Sequence, residues 1–333
     1  MSNEFTAVDL SQLPAPDVVE TLDFDVIFAA MLADLQVRDS QFDALTEADP
    51  AYKILQVAAY RELLLRQRIN EAARANMLAF ARQTDLDNLV AFYGVERLQT
   101  DPGNPNAIPP IEPSFETDDE LLRRAQAAMH GFSIAGPERA YIYHALSADG
   151  RALDVSADSP QFSYAELAPA LAEQLPPGTI VLRVDYDAGL SQPMPGDVAI
   201  RILARDGDGT APADLQTSVA TYLNQEDIRP LTDHVRVNSA DIIPYRIVAE
   251  LFPYSGAGAE VAVDVAHTRA TEYVVETRKL GRSHYRSAIM AALHAPGIER
   301  VNLISPATDL VLERYQAGHC IELSITNGEA PDD

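Results

Sequence analysis

From Ala51 to Gln83 the chain contains neither glycine nor proline. Asp49-Pro50 stands just before it, a capping residue followed by a proline whose fixed φ suits the first helical position. Together they predict one helix of about 45–50 Å at 1.5 Å rise per residue, longer than a compact domain usually needs. At 100° per residue its apolar side chains do not gather into one stripe. Ile54, Leu65 and Ala72 fall on one side, Leu55 and Ala73 a quarter-turn away, Ala59, Leu63 and Met77 behind them, and Tyr60, Leu64 and Leu78 on the remaining flank. Arg61, Arg66, Arg68 and Arg74 are threaded between. A helix apolar on most sides is surrounded, either by its own domain or by partner chains, and with only about 100 residues in this half partner chains are the favoured reading. Ile54, Leu55, Tyr60, Leu64, Leu65 and Ile69 are the candidate interface residues.

The rest of the first 100 residues is also helical in pattern. An amphipathic segment runs from Asp23 to Leu35, and a shorter helix from Thr84, as N-cap, to Tyr93, with Gly94 beyond its end. Residues 101–117, "DPGNPNAIPPIEPSFET", are rich in proline and poor in apolar anchors, which predicts a stiff linker between two domains. Beyond it, short strands at 152–157, 179–186, 197–204, 234–238, 245–252, 299–304, 309–314 and 320–326 alternate with helices near 118–130, 137–147, 212–224, 262–280 and 283–294. The fold class is therefore α+β, an all-helical N-terminal domain followed by small helix-and-strand units. A weak internal repeat, "YHALSADGRALDV" (143–155) against "MAALHAPGIERVNL" (290–303), suggests two related units at about 118–210 and 211–333.

Composition narrows the function classes. The 333 residues carry 25 basic against 50 acidic side chains, a net charge of −25, which repels phosphate backbones and anionic membranes and suits solubility or a basic protein partner. The single cysteine, Cys320, leaves no intramolecular disulfide and has no metal-site neighbours. No basic region followed by an apolar run opens the chain, and no stretch of ~18 apolar residues occurs, so cytoplasmic synthesis without export or membrane insertion is expected.

Chemistry finds little purchase. Gly131-Phe132-Ser133-Ile134-Ala135 falls one residue short of G-x-S-x-G, and a nucleophile elbow needs a strand before the serine. Here a helix precedes it, begun by the capping box Thr117-x-x-Glu120 and ended by Gly131 as the residue past its C-terminus, and Gly136-Pro137 opens the next helix. "GFSIAGP" therefore reads as a turn between helices, and a serine hydrolase using Ser133 is the alternative reading of the chain. "SGAGAEV" (255–261) lacks the third glycine of a dinucleotide fingerprint, and "DGDGT" (206–210) lacks the remaining ligands of a calcium loop. The seven histidines form no metal motif, and His144 and His319 read as structural. No catalytic, cofactor-binding or metal-binding residue is expected.

The segment "ALTEADPAYKILQVAAYRELLLRQRINEAARANMLAFARQTDLDNLVAFYGVERL" (44–98) resembles the N-terminal part of the baseplate J-like proteins of contractile phage tails and related injection particles. The likeness continues through 131–160, 227–245 and 280–312, with the Asp-Pro helix start and the "GFSIAGP" turn its most specific pieces. It implies a structural, non-enzymatic subunit of the baseplate wedge, needing no cofactor. Its N-terminal helices are then expected to join a second copy and a smaller tail protein, and its α+β part to link adjacent wedges into a ring around the tail hub, with the hub or sheath-initiating proteins as further partners. Neither nucleic acid nor membrane is an expected partner. The location implied is the baseplate of a virion or tail-like particle assembled in the bacterial cytoplasm. Residues 162–195 look longer than the family's usual link between these strands.

Overall fold

The computed structural model describes Leu10, Pro14 and residues 18–131, 137–166, 174–176, 178–254 and 258–328. The chain divides into two compact units, one helical, from Thr6–Arg97 with Thr117–Ala125, the other α+β, from Leu98–Glu116 with Gln126–Asp333.

The helical unit begins with α1 (Phe24–Arg38), whose N-cap Asp23 accepts the backbone N–H groups of Asp25 and Val26. The long helix α2 spans Pro50–Ala75. Pro50 opens it as expected, but the Asp49 carboxylate turns back to the Thr46 N–H and hydroxyl instead of capping. It also ends earlier than the absence of Gly and Pro predicts. Asn76 returns its side-chain amide to the Ala72 carbonyl and its N–H to Ala73 and Arg74, and Met77–Ala81 continue as hydrogen-bonded turns with Ala81 buried. Asparagine is a common helix terminator, so the continuous helix of 45–50 Å becomes one of about 39 Å plus a turn. α3 follows at Gln83–Ala91 with Arg82, not Thr84, at its cap position. Gln83 has a positive φ, and its N–H is held by Asp118 of α4 (Asp118–Gly131). The capping box at the start of α4 forms as read, Glu120 accepting from the Thr117 N–H at 2.8 Å and the Thr117 hydroxyl facing the Glu120 N–H at 3.4 Å.

In the α+β unit the proline-rich segment pairs β1 (Gln99–Asp101) with β2 (Ser114–Phe115), and Leu98 and the buried Glu116 exchange reciprocal hydrogen bonds. Then come α5 (Glu138–Ala148), β3 (Ala152–Asp158), β4 (Gln161–Tyr164), β5 (Leu182–Tyr186), β6 (Asp197–Ala204), α6 (Ala213–Leu223) and β7 (His234–Ser239). The chain ends with β8 (Asp241–Pro253), α7 (Ala259–Glu276), α8 (Arg286–Leu293), β9 (Ile298–Ser305) and β10 (Gln316–Asn327). The expected strand at 309–314 is absent. Its Leu310 makes only an isolated bridge to His284, because the segment lies beside another irregular stretch and not beside a strand.

Two three-stranded sheets have the same plan. The central strand, β6 or β8, is antiparallel to one neighbour (β3 or β9) and parallel to the other (β7 or β10). The antiparallel neighbour always follows a short helix through Leu-x-Ala-x-Gly, at 146–150 and 293–297. Leu146 and Ala148 pack on the first core around Ile200, Ile202, Leu215 and Leu223, and Leu293 and Ala295 lie in the second around Ile247, Leu251 and Ile289. The two copies differ in chain order. The helix and edge strand precede the central strand in the first and follow it in the second, a permutation that the repeated motif by itself does not reveal. Leu203, Ala240 and Ala317, with Leu153, Ile242 and Leu280, join the two modules.

Candidate functional site

The expected interface residues lie on α2, and α1 decides which of them are free. Phe24, Ile27, Phe28, Met31 and Leu32 of α1 pack against Tyr52, Leu55, Ala59 and Leu63, with the Phe28 and Tyr52 rings edge to face at 4.8 Å. These α2 positions recur every three or four residues and fall within roughly an 80° arc of the helix. The same side carries buried Asn70, whose amide donates to the Glu20 carbonyl at 2.8 Å and accepts the Glu20 N–H at 3.0 Å. Sequence reasoning missed this clamp, because an asparagine among arginines and glutamates reads as surface. The chain before α1 is thereby fixed along α2, antiparallel to it, with Glu20 also reaching Arg66.

Leu55 is thus occupied by the chain's own core. The other five candidates stay uncovered: Ile54 is 69% exposed, Leu65 65% and Ile69 60%, and Tyr60 and Leu64 are also exposed. Val57 joins them, a position that the sequence reading omitted although it lies one helical turn from both Ile54 and Tyr60. These six occupy roughly half the helix circumference, opposite the α1 contact, with exposed Arg61 and Arg68 in their midst. An exposed apolar strip of this extent marks a candidate interaction surface.

Ser133 lies outside the described residues, as do residues 255–257 of the "SGAGAEV" stretch. Gly131 has a different role from the one expected. It is the last residue of α4, and a Cβ there would collide with the Tyr143 ring, so its smallness serves a close approach. Pro137, not Gly136, is the cap residue of α5. His144 is half-buried with one ring nitrogen on the Gly131 carbonyl at 3.2 Å, and burial lowers its pKa. Asp208 of "DGDGT" accepts the Thr210 N–H within a turn. Among the described residues no group of three or more His, Cys, Asp and Glu is placed to hold a metal ion, and no helix is long and apolar enough to cross a membrane. An open depression on one face of α6, lined by Gln216, Thr217, Thr221, Asn224 and small or apolar neighbours, has no charged side chain in its lining and no acid–base pair.

Asp197, fully buried at the start of β6, accepts the Met194 N–H at 2.7 Å, His234 Nδ1 at 2.8 Å and Arg236 Nε at 3.0 Å. Burial pushes its pKa up, but the backbone and cationic partners outweigh that and hold the carboxyl below its ordinary value. The cluster resembles the acid–histidine half of a triad, yet the Met194 N–H, His234 and the Arg236 guanidinium that bond Asp197 serve to hold β7 on β6 in register.

Comparison with known proteins identifies the family. The Baseplate J-like N-terminal domain matches residues 47–104, which contain α2 and α3, and the Baseplate J-like protein C-terminal domain matches residues 245–326, from β8 to β10. Baseplate protein J of Escherichia phage P2 is 40% identical over 328 residues, covering 96% of this chain and 98% of that protein. An identity of this level over nearly the whole of both chains leaves one conclusion, that the chain belongs to the baseplate J-like protein family.

Proposed function

We propose that this chain is a structural subunit of the baseplate wedge in a contractile phage tail or phage-tail-like particle. A baseplate structural role follows from the family, and contact with other baseplate components goes with it. In the finer reading, α2 joins the α2 of a second copy and a smaller wedge protein. The α+β unit links adjacent wedges into a ring around the hub and sheath-initiating proteins. The chain acts by binding and not by catalysis, in a particle assembled in the host cytoplasm, and uses no cofactor, nucleic acid or membrane. The observation that carries this is the strip Ile54, Val57, Tyr60, Leu64, Leu65 and Ile69, left open beside a stripe that α1 already covers.

The test is co-purification with the neighbouring tail proteins of the same particle. Leu65→Asp and Ile69→Asp each place an unpaired carboxylate in the joined helices, a cost of several kcal/mol, and binding should weaken by about 100-fold or more while the chain remains folded. Leu55→Asp should instead damage the helical unit itself, because Leu55 packs under α1. Full complex formation by both surface variants would place the joint elsewhere.

A further inference from the structure

The strands β4 and β5 form a two-stranded ribbon belonging to neither three-stranded sheet. Phe162 stands opposite Val184 and Tyr164 opposite Leu182, so these four side chains share one face, and Ile180 continues it two residues before Leu182. The other face is polar: the Ser163 hydroxyl and Arg183 both bond the Asp185 carboxylate. The ribbon is anchored at its base, where the Tyr186 hydroxyl donates to Asp158 at 2.6 Å and Ala188, Leu190 and Ala199 pack together. Among the described residues most of its apolar face is uncovered, Phe162 being half-buried but Tyr164 80% exposed and Ile180, Leu182 and Val184 also exposed. An isolated two-stranded ribbon is marginal in water, and an apolar face on one leaves its stability to an outside surface.

We propose that this apolar face is a docking arm for a different protein of the particle, one presenting an apolar strip bordered by lysine or arginine. Charge selects the occupant. Exposed Glu166, two positions beyond Tyr164, and exposed Asp187, just past β5, flank the ribbon, and Arg183, the one basic residue between positions 158 and 187, is tied to Asp185 on the opposite face. A second copy of this chain, itself at −25, would meet like charge there, whereas a basic rim would be steered to it. The arm therefore adds a contact distinct from the α2 strip.

The inference rests on the baseplate reading, and its test separates the two. A photo-crosslinking amino acid is placed at Tyr164 or Val184 in the full chain, and particles assembled with it are isolated and irradiated. Particles lacking the chain would overturn the baseplate reading itself. In particles containing it, the expected adduct joins the arm to a different protein at a segment with apolar residues flanked by Lys or Arg. Its yield should fall roughly threefold or more when the salt is raised to about 1 M before irradiation, where charges are screened within ~3 Å. Adducts to a second copy, adducts confined to the same chain, or none would overturn the docking arm. As a second arm of the test, Leu182→Ser with Val184→Ser should melt like the parent chain, since both side chains are already exposed, yet enter particles at least about tenfold less well. Normal incorporation would equally overturn it.

Discussion

His284 is fully buried, packed on the Tyr245 ring at 4.4 Å between centroids, with its Nδ1 at 3.5 Å from the Tyr273 hydroxyl and its Nε2 against Gly318, where it has no hydrogen-bond partner among the described residues. Burial first, and nearby Arg282 second, lower its pKa to about 4. The unfolded chain takes up this proton near 6.5 and the folded chain only near 4, so the stability His284 permits is present above the higher value and is lost as pH falls between the two. Denaturant unfolding from pH 7 to 4.5 should therefore show a fall of up to ~1.4 kcal/mol per pH unit from this site, and His284→Gln should flatten that slope. An unchanged slope in the variant would show that His284 is not the group titrating. Asp197 acts in the same sense at lower pH. Its depressed pKa makes its contribution complete above the ordinary carboxylate value and lost as pH falls through the lower folded value. Asp197→Asn keeps the shape but loses the charge facing His234 and Arg236, and should cost about 1–3 kcal/mol at neutral pH in a thermal or urea melt. Neither residue is conspicuous in the sequence, because Asp197 meets His234 across 37 positions and His284 meets Tyr245 only when the second module is packed.

Among the elements, α2 shows what periodicity can and cannot say. Its existence, its start at Pro50 and its apolar excess were legible, since they depend on neighbours within one or two turns. Which apolar side faces inward was not, because that is fixed by α1 and by the Asn70–Glu20 clamp. Asn70→Leu should leave the Glu20 N–H and carbonyl without their partner in a part-buried site, destabilising the helical unit by about 1 kcal/mol and speeding amide exchange in α1. Exchange in α1 unaltered by the substitution would deny the clamp that role. The capping box of α4 is the converse case, where two residues three apart specified their own hydrogen bonds. Thr117→Ala should cost about 1 kcal/mol, read as a lower melting temperature.

For the whole molecule, the compact units cross the boundary that proline content suggests. The α+β unit takes up Leu98–Glu116, so a fragment should begin at Leu98 and not at Asp118. The shorter fragment loses the β1–β2 pair, the Leu98–Glu116 bonds and the Gln99 backbone that Gly150 approaches closely. We expect residues 98–333 to melt cooperatively and residues 118–333 to be less stable by at least about 1 kcal/mol, measured by calorimetry on both. Equal stability would mean that the proline-rich segment is only a connection.

Although β1, β2 and β4 escaped it and 309–314 is no strand, the sequence by itself determined the α+β class, the helices, the strands of the two three-stranded sheets, the repeated Leu-x-Ala-x-Gly turn and the family. All of these are written in capping residues, turn residues and side-chain periods that act over a few positions. The tertiary structure alone decided that Leu55 is spent on α1 while Leu65 and Ile69 are not, that the two sheets share one plan in permuted chain order, and that the β4–β5 ribbon keeps an apolar face uncovered. The physical reason is common to all three. Burial is a competition among surfaces far apart in the chain, and an apolar side chain carries no local mark of the surface that will cover it.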